Sequence, residues 1–456
     1  MHSDHSLSRR KFLGAAALGA ASLSALGSRV PQALSGAPNG LGERLAPPGK
    51  LGVQQFSIRD AITRRSIANS RANNLTPTMG YLGGANFPQD PTDLGPLVPL
   101  PGGFVEVFEY LASLGYRGFE FFQFTQNVNE LGRQPTIAEI RQYLDSAGLV
   151  AQGTHTASLG TMYSAATDGL SASGQTQIAN AQTLGMPMVG TAGDPTGSNL
   201  LANGPGTTIG WTEAARRANI VGQACADAGL KWYWHVEQNG FQGFSPTAHP
   251  ELAGVNRMTW FFEHTDRNLV FIEPDTFHSY SGRARFPFPG WSAANPYDRS
   301  KLWDAYGWWT ANYHRIVAWH IKDGTRLAVQ PAPPTNPFTQ VVTRPPTFAP
   351  GGLANNDALY TGEGSIAQGY PVDPDPGVVG YKKLFDDVGA KGSRFYIVES
   401  DNAIGPATDP GRSLRHAKLA IAYMLGLRAG PDSHAVSHAA EDALFESELE
   451  EVEVAG

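Results

Sequence analysis

The sequence contains one cysteine, Cys225, so neither an intramolecular disulfide nor a cysteine metal cluster can form. Charged residues make up only 16% of the 456 residues, and the formal net charge is −7. Such a chain lacks the excess of positive charge with which proteins bind nucleic-acid phosphates. After the N-terminal region no apolar run reaches about 18 residues, so we predict no membrane span in the mature protein.

Apolar residues nevertheless make up 41% of the chain, and 52 glycines and 33 prolines indicate many turns and loops. This composition is sufficient to bury a sizeable core and excludes disorder throughout the chain. The length fits two or three ordinary domains, but it equally fits a single α/β barrel with insertions.

The N-terminus has the pattern of an export signal. Arg9 and Arg10 precede an uncharged run, residues 13–26, that is rich in Ala, Gly, Leu and Ser. The run is too short to span a bilayer, and the order of basic, apolar and small residues is typical of a secretory signal. The arginine pair resembles the twin-arginine signal. We therefore expect residues 1–35 to be a signal peptide and linker, and the mature protein to be periplasmic or extracellular.

Short apolar runs alternate with helical patterns between residues 50 and 428, which is typical of repeated βα units and a parallel sheet. The predicted strands are 51–57, 118–122, 150–155, 188–191, 231–237, 269–275, 316–321 and 395–399. The predicted helices are 104–114, 136–147, 174–184, 213–228 and 378–388. Eight strands with intervening helices predict an α/β protein with a (β/α)8 TIM barrel, whose active site lies where the strands end.

Three long irregular stretches, residues 61–103, 281–300 and 324–365, each follow a predicted strand. In a barrel they would be long insertions on the C-terminal, catalytic face, or else surface decorations. Aromatic residues between Phe286 and Trp309 are predicted to form a local hydrophobic core, with sugar binding as the alternative. The acidic segment 429–456 is expected to be a disordered tail.

The last four predicted strands each end in a residue that can bind a divalent metal. These residues are Glu237, Asp275, His320 and Glu399. Three carboxylates and one imidazole favour Mn²⁺, Mg²⁺, Co²⁺ or Zn²⁺. Because residues i and i+2 of a strand point the same way, His235 is expected to face the interior together with Glu237. Further polar contacts with substrate are expected from His155, His235, His278, Lys322 and Asp323.

Four of the motifs resemble those of the xylose isomerase-like barrel superfamily, in the branch of sugar phosphate isomerases and epimerases. They are Asp275-Thr-Phe-His278, Trp319-His-Ile-Lys-Asp323, Gly362-Glu-Gly364 and Ile397-Val-Glu399, and they occur in the family's order. The resemblance covers about residues 50–428. It implies that Glu237, Asp275, His320 and Glu399 bind a divalent metal, with Mn²⁺ in first place. It also implies that Glu237 and Glu399 form the acid/base pair and that His278 contacts substrate. Many relatives have His-Asn-His on the fifth strand, so His235 is the alternative to Glu237 as a ligand.

The resemblance implies an isomerase or epimerase that moves a proton on a ketose through a metal-stabilised enediolate. The alternative is a metal-dependent lyase that cleaves 3-keto-glycosides by β-elimination. A non-catalytic secreted sugar-binding barrel is a third hypothesis, and the negative charge disfavours an apurinic-site endonuclease. Export favours a neutral sugar or glycoside over a sugar phosphate as the small-molecule partner. The sequence does not decide whether the chain forms a homo-oligomer.

Overall fold

The computed structural model describes residues 46–64 (without 48), 100–126, 131–196, 208–244, 249–279 (without 253, 254 and 277), 305–322 and 395–400, with single positions from 385 to 425. Its strands, in chain order, are β1 (Leu51–Gln54), β2 (Gly118–Phe121), β3 (Val150–Thr154), β4 (Tyr163–Ser164), β5 (Gly169–Leu170), β6 (Met188–Thr191), β7 (Lys231–Val236), β8 (Val270–Pro274), β9 (Ala318–Ile321) and β10 (Phe395–Val398). Strands β4 and β5 form an antiparallel hairpin, and the other eight strands match the eight predicted ones.

These eight strands form a ring of parallel neighbours. One sheet has the order β3-β2-β1-β10-β9 and the other the order β6-β7-β8. A parallel bridge between Asp275 and His320 joins β8 to β9, and the Ala157 amide donates to the Gly190 carbonyl at 2.8 Å beside the junction of β3 and β6. The fold is therefore the predicted (β/α)8 barrel.

The helices are α1 (Arg59–Thr63), α2 (Gly103–Ser113), α3 (Ile137–Ala147), α4 (Leu159–Met162), α5 (Ala172–Leu184), α6 (Thr208–Asp227), α7 (Arg257–Glu263) and α8 (Ala305–Ala311). Short 3-10 turns cover Gln55–Ile58, Gln238–Phe241, Pro250–Leu252 and Tyr313–Arg315. Among the described residues, we find no helix with the length and apolarity that a membrane crossing requires.

Sequence signals explain where α3 begins and ends. Thr136 caps its N-terminus in a capping box with Glu139, which satisfies two backbone amides that the helix leaves unpaired. Gly148 closes the helix with φ of 72°, a left-handed conformation that glycine adopts without steric cost. The predicted boundaries of this helix are thus correct to within one residue.

Alternation along the strands divides the core into two layers. Trp232 and Trp234 of β7 are buried in the large core that includes the helices, whereas Tyr233 belongs to a smaller cluster inside the barrel. The members of that inner cluster are Met188, Tyr233, Phe271, Val317, Ala318 and Ile397. Because side chains alternate, the next inward position of β7 is His235, above the inner cluster at the carboxyl end of the strand.

Several details differ from the predictions. The first strand ends at Gln54, because the Gln54 side chain accepts a hydrogen bond from the Phe56 amide and starts a 3-10 turn. Helix α6 begins at Thr208, five residues before the predicted start, and the shorter helices α1, α4, α7 and α8 were not predicted. Most of the predicted helix 378–388 lies outside the described residues. The insertions at 281–300 and 324–365, most of 61–103, residues 1–35 and the acidic tail lie outside the described residues. Of the aromatic residues predicted to form a local core, Trp309 is 1% exposed and packs on Trp319 in the main core, whereas those from Phe286 to Trp303 lie outside the described residues.

Candidate active site

Buried ionisable side chains from six strands converge at the carboxyl end of the barrel. They are Glu120 on β2, His155 after β3, His235 on β7, Glu273 and Asp275 at β8, His320 on β9 and Glu399 after β10. Every one of them except His155 is at most 5% exposed as a residue, and the side chain of His155 is 3% exposed. Ionisable groups are almost never this deeply buried unless they are paired or bind a metal.

His320 lies between two carboxylates. Its Nδ1 donates to Glu399 Oε2 at 2.8 Å, and its Nε2 donates to Glu120 Oε2 at 2.6 Å. Burial alone lowers the pKa of His320, but the charges of Glu273, Glu399 and Glu120 hold that pKa well above its usual value. His320 is therefore an imidazolium in the metal-free protein.

His155 stacks on His320, with the two ring centroids 5.1 Å apart. Its Nε2 donates to Glu273 Oε2 at 3.0 Å and lies 3.2 Å from Glu120 Oε2. Burial lowers the pKa of His155, yet the charge and hydrogen bonding of Glu120 and Glu273 outweigh this and raise the pKa to about 9.

His235 is the uncharged imidazole of the site. Burial and the positive charge of His320, whose ring centroid is 4.2 Å away, lower the pKa of His235 to about 4. Its Nδ1 lies 3.3 Å from Glu273 Oε2, and its Nε2 lies 3.9 Å from Asp275 Oδ2. A neutral imidazole with carboxylates on both sides is a suitable metal ligand.

Lys322 brings an ammonium group into the same region. Its Nζ lies 2.6 Å from Glu399 Oε2 and 3.0 Å from Asp275 Oδ2. Burial raises the pKa of Glu399, but the charges of Lys322 and His320 outweigh this and hold that pKa well below its usual value. Asp275 also accepts a hydrogen bond from the His278 amide at 2.7 Å, which places the His278 ring 3.3 Å from Lys322 Nζ.

Two overlapping groups of four residues have the arrangement that a metal ion requires. One consists of His155, His235, Glu273 and His320, the other of His235, Asp275, His320 and Glu399, and in each the ligand atoms lie within 4.8 Å of one another. Imidazole nitrogen and carboxylate oxygen suit Zn²⁺, Mn²⁺ and Co²⁺, and the oxygens also suit Mg²⁺.

Charge balance also fits a cation. Four buried carboxylates, from Glu120, Glu273, Asp275 and Glu399, share this region with three cationic groups, the ammonium of Lys322 and the imidazolium rings of His155 and His320, so one negative charge is left over. Within the described part of the chain, Glu273 Oε1 is buried and receives no hydrogen bond. Such an oxygen has a high desolvation cost, which a bound cation would offset. The residues present therefore fit a divalent metal.

Comparison with known proteins identifies the family. The profile described as "Xylose isomerase-like TIM barrel" matches residues 108–420, more than half of the chain. The chain belongs to the xylose isomerase-like TIM barrel family. Among curated proteins, none matches the sequence significantly.

Solved structures with a similar fold are distant from this family member. A sugar phosphate isomerase/epimerase from Parabacteroides distasonis is 14% identical, with 84% of this chain and 95% of that chain covered and a TM-score of 0.47. A D-psicose 3-epimerase is 13% identical, with 72% and 95% covered and a TM-score of 0.38. An L-ribulose 3-epimerase is 13% identical, with 83% and 94% covered and a TM-score of 0.38. At these values, no residue role transfers from them to this chain.

Most of the predicted site residues of this barrel come together. Asp275, His320 and Glu399 belong to one group, and His235 takes the fourth position in it. The predicted substrate contacts His155, His278 and Lys322 border the group. Asp323 lies outside the described residues.

Glu237 follows the last residue of β7 and does not join the two groups. Strand β7 ends at Val236, and Glu237 is half-buried before the 3-10 turn that starts at Gln238. It belongs to neither of the two metal-binding groups found among the described residues. Its predicted roles as ligand and base stay predictions.

Sequence reasoning missed Glu120 and Glu273. Glu120 is the one ionisable residue of the otherwise apolar predicted strand 118–122, and this isolated charge was the signal that could have found it. Glu273 stands two residues before Asp275 on β8, so strand alternation places both carboxylates on the same side.

Proposed function

We propose that this protein is a divalent-metal-dependent isomerase or epimerase that acts on a ketose or a related sugar. The observation that carries the proposal is the buried group of His235, Asp275, His320 and Glu399 at the carboxyl ends of neighbouring barrel strands. This is the face on which barrel enzymes have their active sites. Membership of the xylose isomerase-like family supports the sugar substrate.

In this proposal His235, Asp275, His320 and Glu399 hold the metal, with Mn²⁺ in first place. His235 replaces Glu237 in the ligand set, because it lies within the group and Glu237 does not. When bound, the metal polarises the carbonyl and neighbouring hydroxyl oxygens of the sugar and so acidifies the adjacent C–H bond.

The proton is moved by carboxylates of the chain. Glu399 is ionised, because Lys322 and His320 hold its pKa well below the usual value, and it therefore can accept a proton. Glu237 is half-buried at the end of β7, and we assign to it the second position of the acid/base pair. Return of the proton to the other face of the same carbon gives epimerisation, whereas return to the neighbouring carbon gives isomerisation.

Three further residues would orient the sugar. Lys322 Nζ and His278 Nε2 lie 3.3 Å apart, so one hydroxyl oxygen can contact both. His155, whose buried ring stacks on His320, offers a third contact. Asp323, next to Lys322, remains a predicted contact.

Metal analysis of the purified protein and of His320→Ala tests the proposal. We expect about one Mn²⁺, Co²⁺, Zn²⁺ or Mg²⁺ per chain, lost in His320→Ala together with turnover of ketoses, because His320 belongs to both ligand groups. His264→Ala is the matched control, since His264 stacks on Trp260 at the end of α7. Equal metal content in wild type and His320→Ala would contradict the proposal.

A panel of free ketoses and 3-keto-glycosides separates the candidate reactions. Interconversion of ketoses, with exchange of one carbon-bound hydrogen for solvent deuterium, is expected for the isomerase or epimerase. Release of an aglycone from a 3-keto-glycoside without such interconversion would show the lyase instead. Bound metal without any turnover across the panel would leave a sugar-binding barrel.

We further propose that the protein is exported by the twin-arginine route, on the basis of Arg9 and Arg10 before the apolar run. Fusion of residues 1–35 to a reporter that fluoresces after folding in the cytoplasm tests this. Fluorescence is expected outside the cytoplasm for the natural pair and inside it for a fusion with Arg9→Lys and Arg10→Lys. Retention of the natural fusion in the cytoplasm would contradict export.

A further inference from the structure

Tyr233 crosses the interior of the barrel beneath the candidate active site. It stands on β7 two residues before His235, and its side chain is fully buried. The hydroxyl donates to Glu120 Oε1 at 2.5 Å and lies 3.3 Å from the Thr154 carbonyl oxygen. The ring therefore extends from β7 past β6 and β3 to the Glu120 carboxylate on β2.

Two glycines leave room for this ring. A Cβ atom on Gly190 of β6 would lie 2.6 Å from the Tyr233 ring, and one on Gly153 of β3 would lie 3.0 Å from its hydroxyl oxygen. The contact at Gly190 is too short to be tolerated without movement, and the contact at Gly153 is tighter than an ordinary van der Waals contact, so glycine at both positions gives the ring its space. Three strands thus contribute to the contact between Tyr233 and Glu120: β7 carries the tyrosine, and β6 and β3 carry the glycines beside its ring.

The two oxygens of Glu120 have different partners. Oε1 accepts the hydrogen bond from the Tyr233 hydroxyl, and Oε2 accepts the one from His320 Nε2 at 2.6 Å. A carboxylate with both oxygens engaged cannot rotate without losing one bond. Glu120 consequently links the orientation of the His320 ring to the position of the Tyr233 hydroxyl.

We propose that Tyr233 is a positioning residue for the metal centre, because it fixes Glu120 and Glu120 in turn orients the imidazole of His320. This inference rests on the proposed function, in which His320 is a metal ligand. Tyr233 itself belongs to neither metal-binding group among the described residues. Outer partners that orient a ligating histidine typically contribute ~10–100-fold to metal affinity.

The test compares Tyr233→Phe with Tyr116→Phe. Each change removes one hydroxyl from a fully buried tyrosine, but the Tyr116 hydroxyl donates to the Ala417 carbonyl at 2.7 Å, in the core outside the site. The metal-free proteins are titrated with Mn²⁺ alone by calorimetry, and their unfolding is followed by circular dichroism. We expect Tyr233→Phe to raise the dissociation constant by about tenfold or more. Tyr116→Phe is expected to leave the Mn²⁺ dissociation constant unchanged. It is expected to lower the free energy of unfolding by about as much as Tyr233→Phe does.

The same Tyr233→Phe change in a Glu120→Met variant tests whether the loss of Mn²⁺ affinity passes through Glu120. If Tyr233 acts through Glu120, then Tyr233→Phe causes no further loss of Mn²⁺ affinity once the carboxylate is gone. Unchanged affinity in Tyr233→Phe, an equal loss in Tyr116→Phe, or a full further loss in the Glu120→Met background would each overturn the inference. Failure of the proposed function is distinguishable, because wild type would then bind Mn²⁺ no more tightly than His320→Ala does.

Discussion

Lys322 Nζ lies 2.6 Å from Glu399 Oε2, and both side chains are buried at the carboxyl end of the barrel. The same ammonium group is 3.0 Å from Asp275 Oδ2. Lys322 therefore neutralises part of the charge of two proposed metal ligands in the metal-free protein. Two cations, the ammonium group and the metal, would stabilise the same carboxylates.

Lys322→Met is expected to destabilise the metal-free protein by about 3–5 kcal/mol, because it removes the ammonium group from two buried carboxylates and leaves Glu399 with His320 as its cationic partner. Urea unfolding in the presence of a chelator measures this loss. Added Mn²⁺ should stabilise the variant more than the wild type, since the metal restores the missing charge. As control, Arg133→Met removes an exposed ion pair with Glu139, and we expect it to change stability little. Equal stabilisation of both variants by Mn²⁺ would contradict the prediction.

The pKa of His155 predicts how the metal-free protein responds to alkaline pH. Its folded pKa is raised from 6.5 to about 9, so its proton is bound more tightly in the folded state than in the unfolded state. The resulting stability is fully present below pH 6.5 and is lost as the pH rises to about 9. The loss attributable to His155 is of the order of 3 kcal/mol.

Urea unfolding with a chelator across this pH range measures the effect. His155→Gln should reduce the decline in unfolding free energy, because the glutamine carries no titrating proton. His249→Gln is the control, since His249 pairs with the exposed Glu251 away from the site. A decline of the same size in His155→Gln and wild type would contradict the assignment.

The sequence allowed the barrel to be predicted because its signals are local. Eight apolar runs of strand length and the glycines that close the helices, such as Gly148, depend only on neighbouring residues. Alternation on β7 placed His235 on the inward side of the strand. The same rule was applied to Glu237, but the strand ends at Val236, so alternation along β7 does not fix the direction of the next side chain.

Glu120 and Glu273 could not be assigned to the site in the same way, because the side chains that stabilise their carboxylates are distant in sequence. Each carboxylate is 0% exposed, which is costly unless positive or hydrogen-bonding partners surround it. Those partners are His155 and His320, which come from other strands and meet the carboxylates only in the closed barrel. A glutamate within a strand, viewed alone, does not show whether such partners exist.

Matched Glu→Gln substitutions distinguish Glu273 from Glu237. Glu273 Oε2 lies 3.0 Å from both His155 Nε2 and His320 Nε2, inside one of the metal-binding groups. Glu273→Gln should therefore raise the Mn²⁺ dissociation constant, by about tenfold or more. Glu237→Gln should leave metal affinity nearly unchanged and lower kcat, as expected for a proton-transfer group that is not a ligand. Calorimetry and steady-state kinetics give the two values, and the opposite pattern would return Glu237 to the ligand set.

Gly190→Ala tests whether the path of the Tyr233 ring is as tight as the geometry indicates. The added Cβ would lie 2.4 Å from the Tyr233 carbonyl oxygen and 2.6 Å from its ring, so either β7 or the ring must move. Overpacking of this kind typically costs ~1–3 kcal/mol. We expect that loss in urea unfolding, together with weaker Mn²⁺ binding, because a displaced ring no longer holds Glu120.

The matched control is Gly160→Ala in α4, where the nearest atom would be 3.8 Å away and both properties should be nearly unchanged. Because Tyr233→Phe keeps the ring and removes only the hydroxyl, loss of Mn²⁺ affinity in both Gly190→Ala and Tyr233→Phe would trace the effect to the hydroxyl. Normal stability and affinity in Gly190→Ala would show that the barrel accommodates the methyl group and that the ring does not need this glycine.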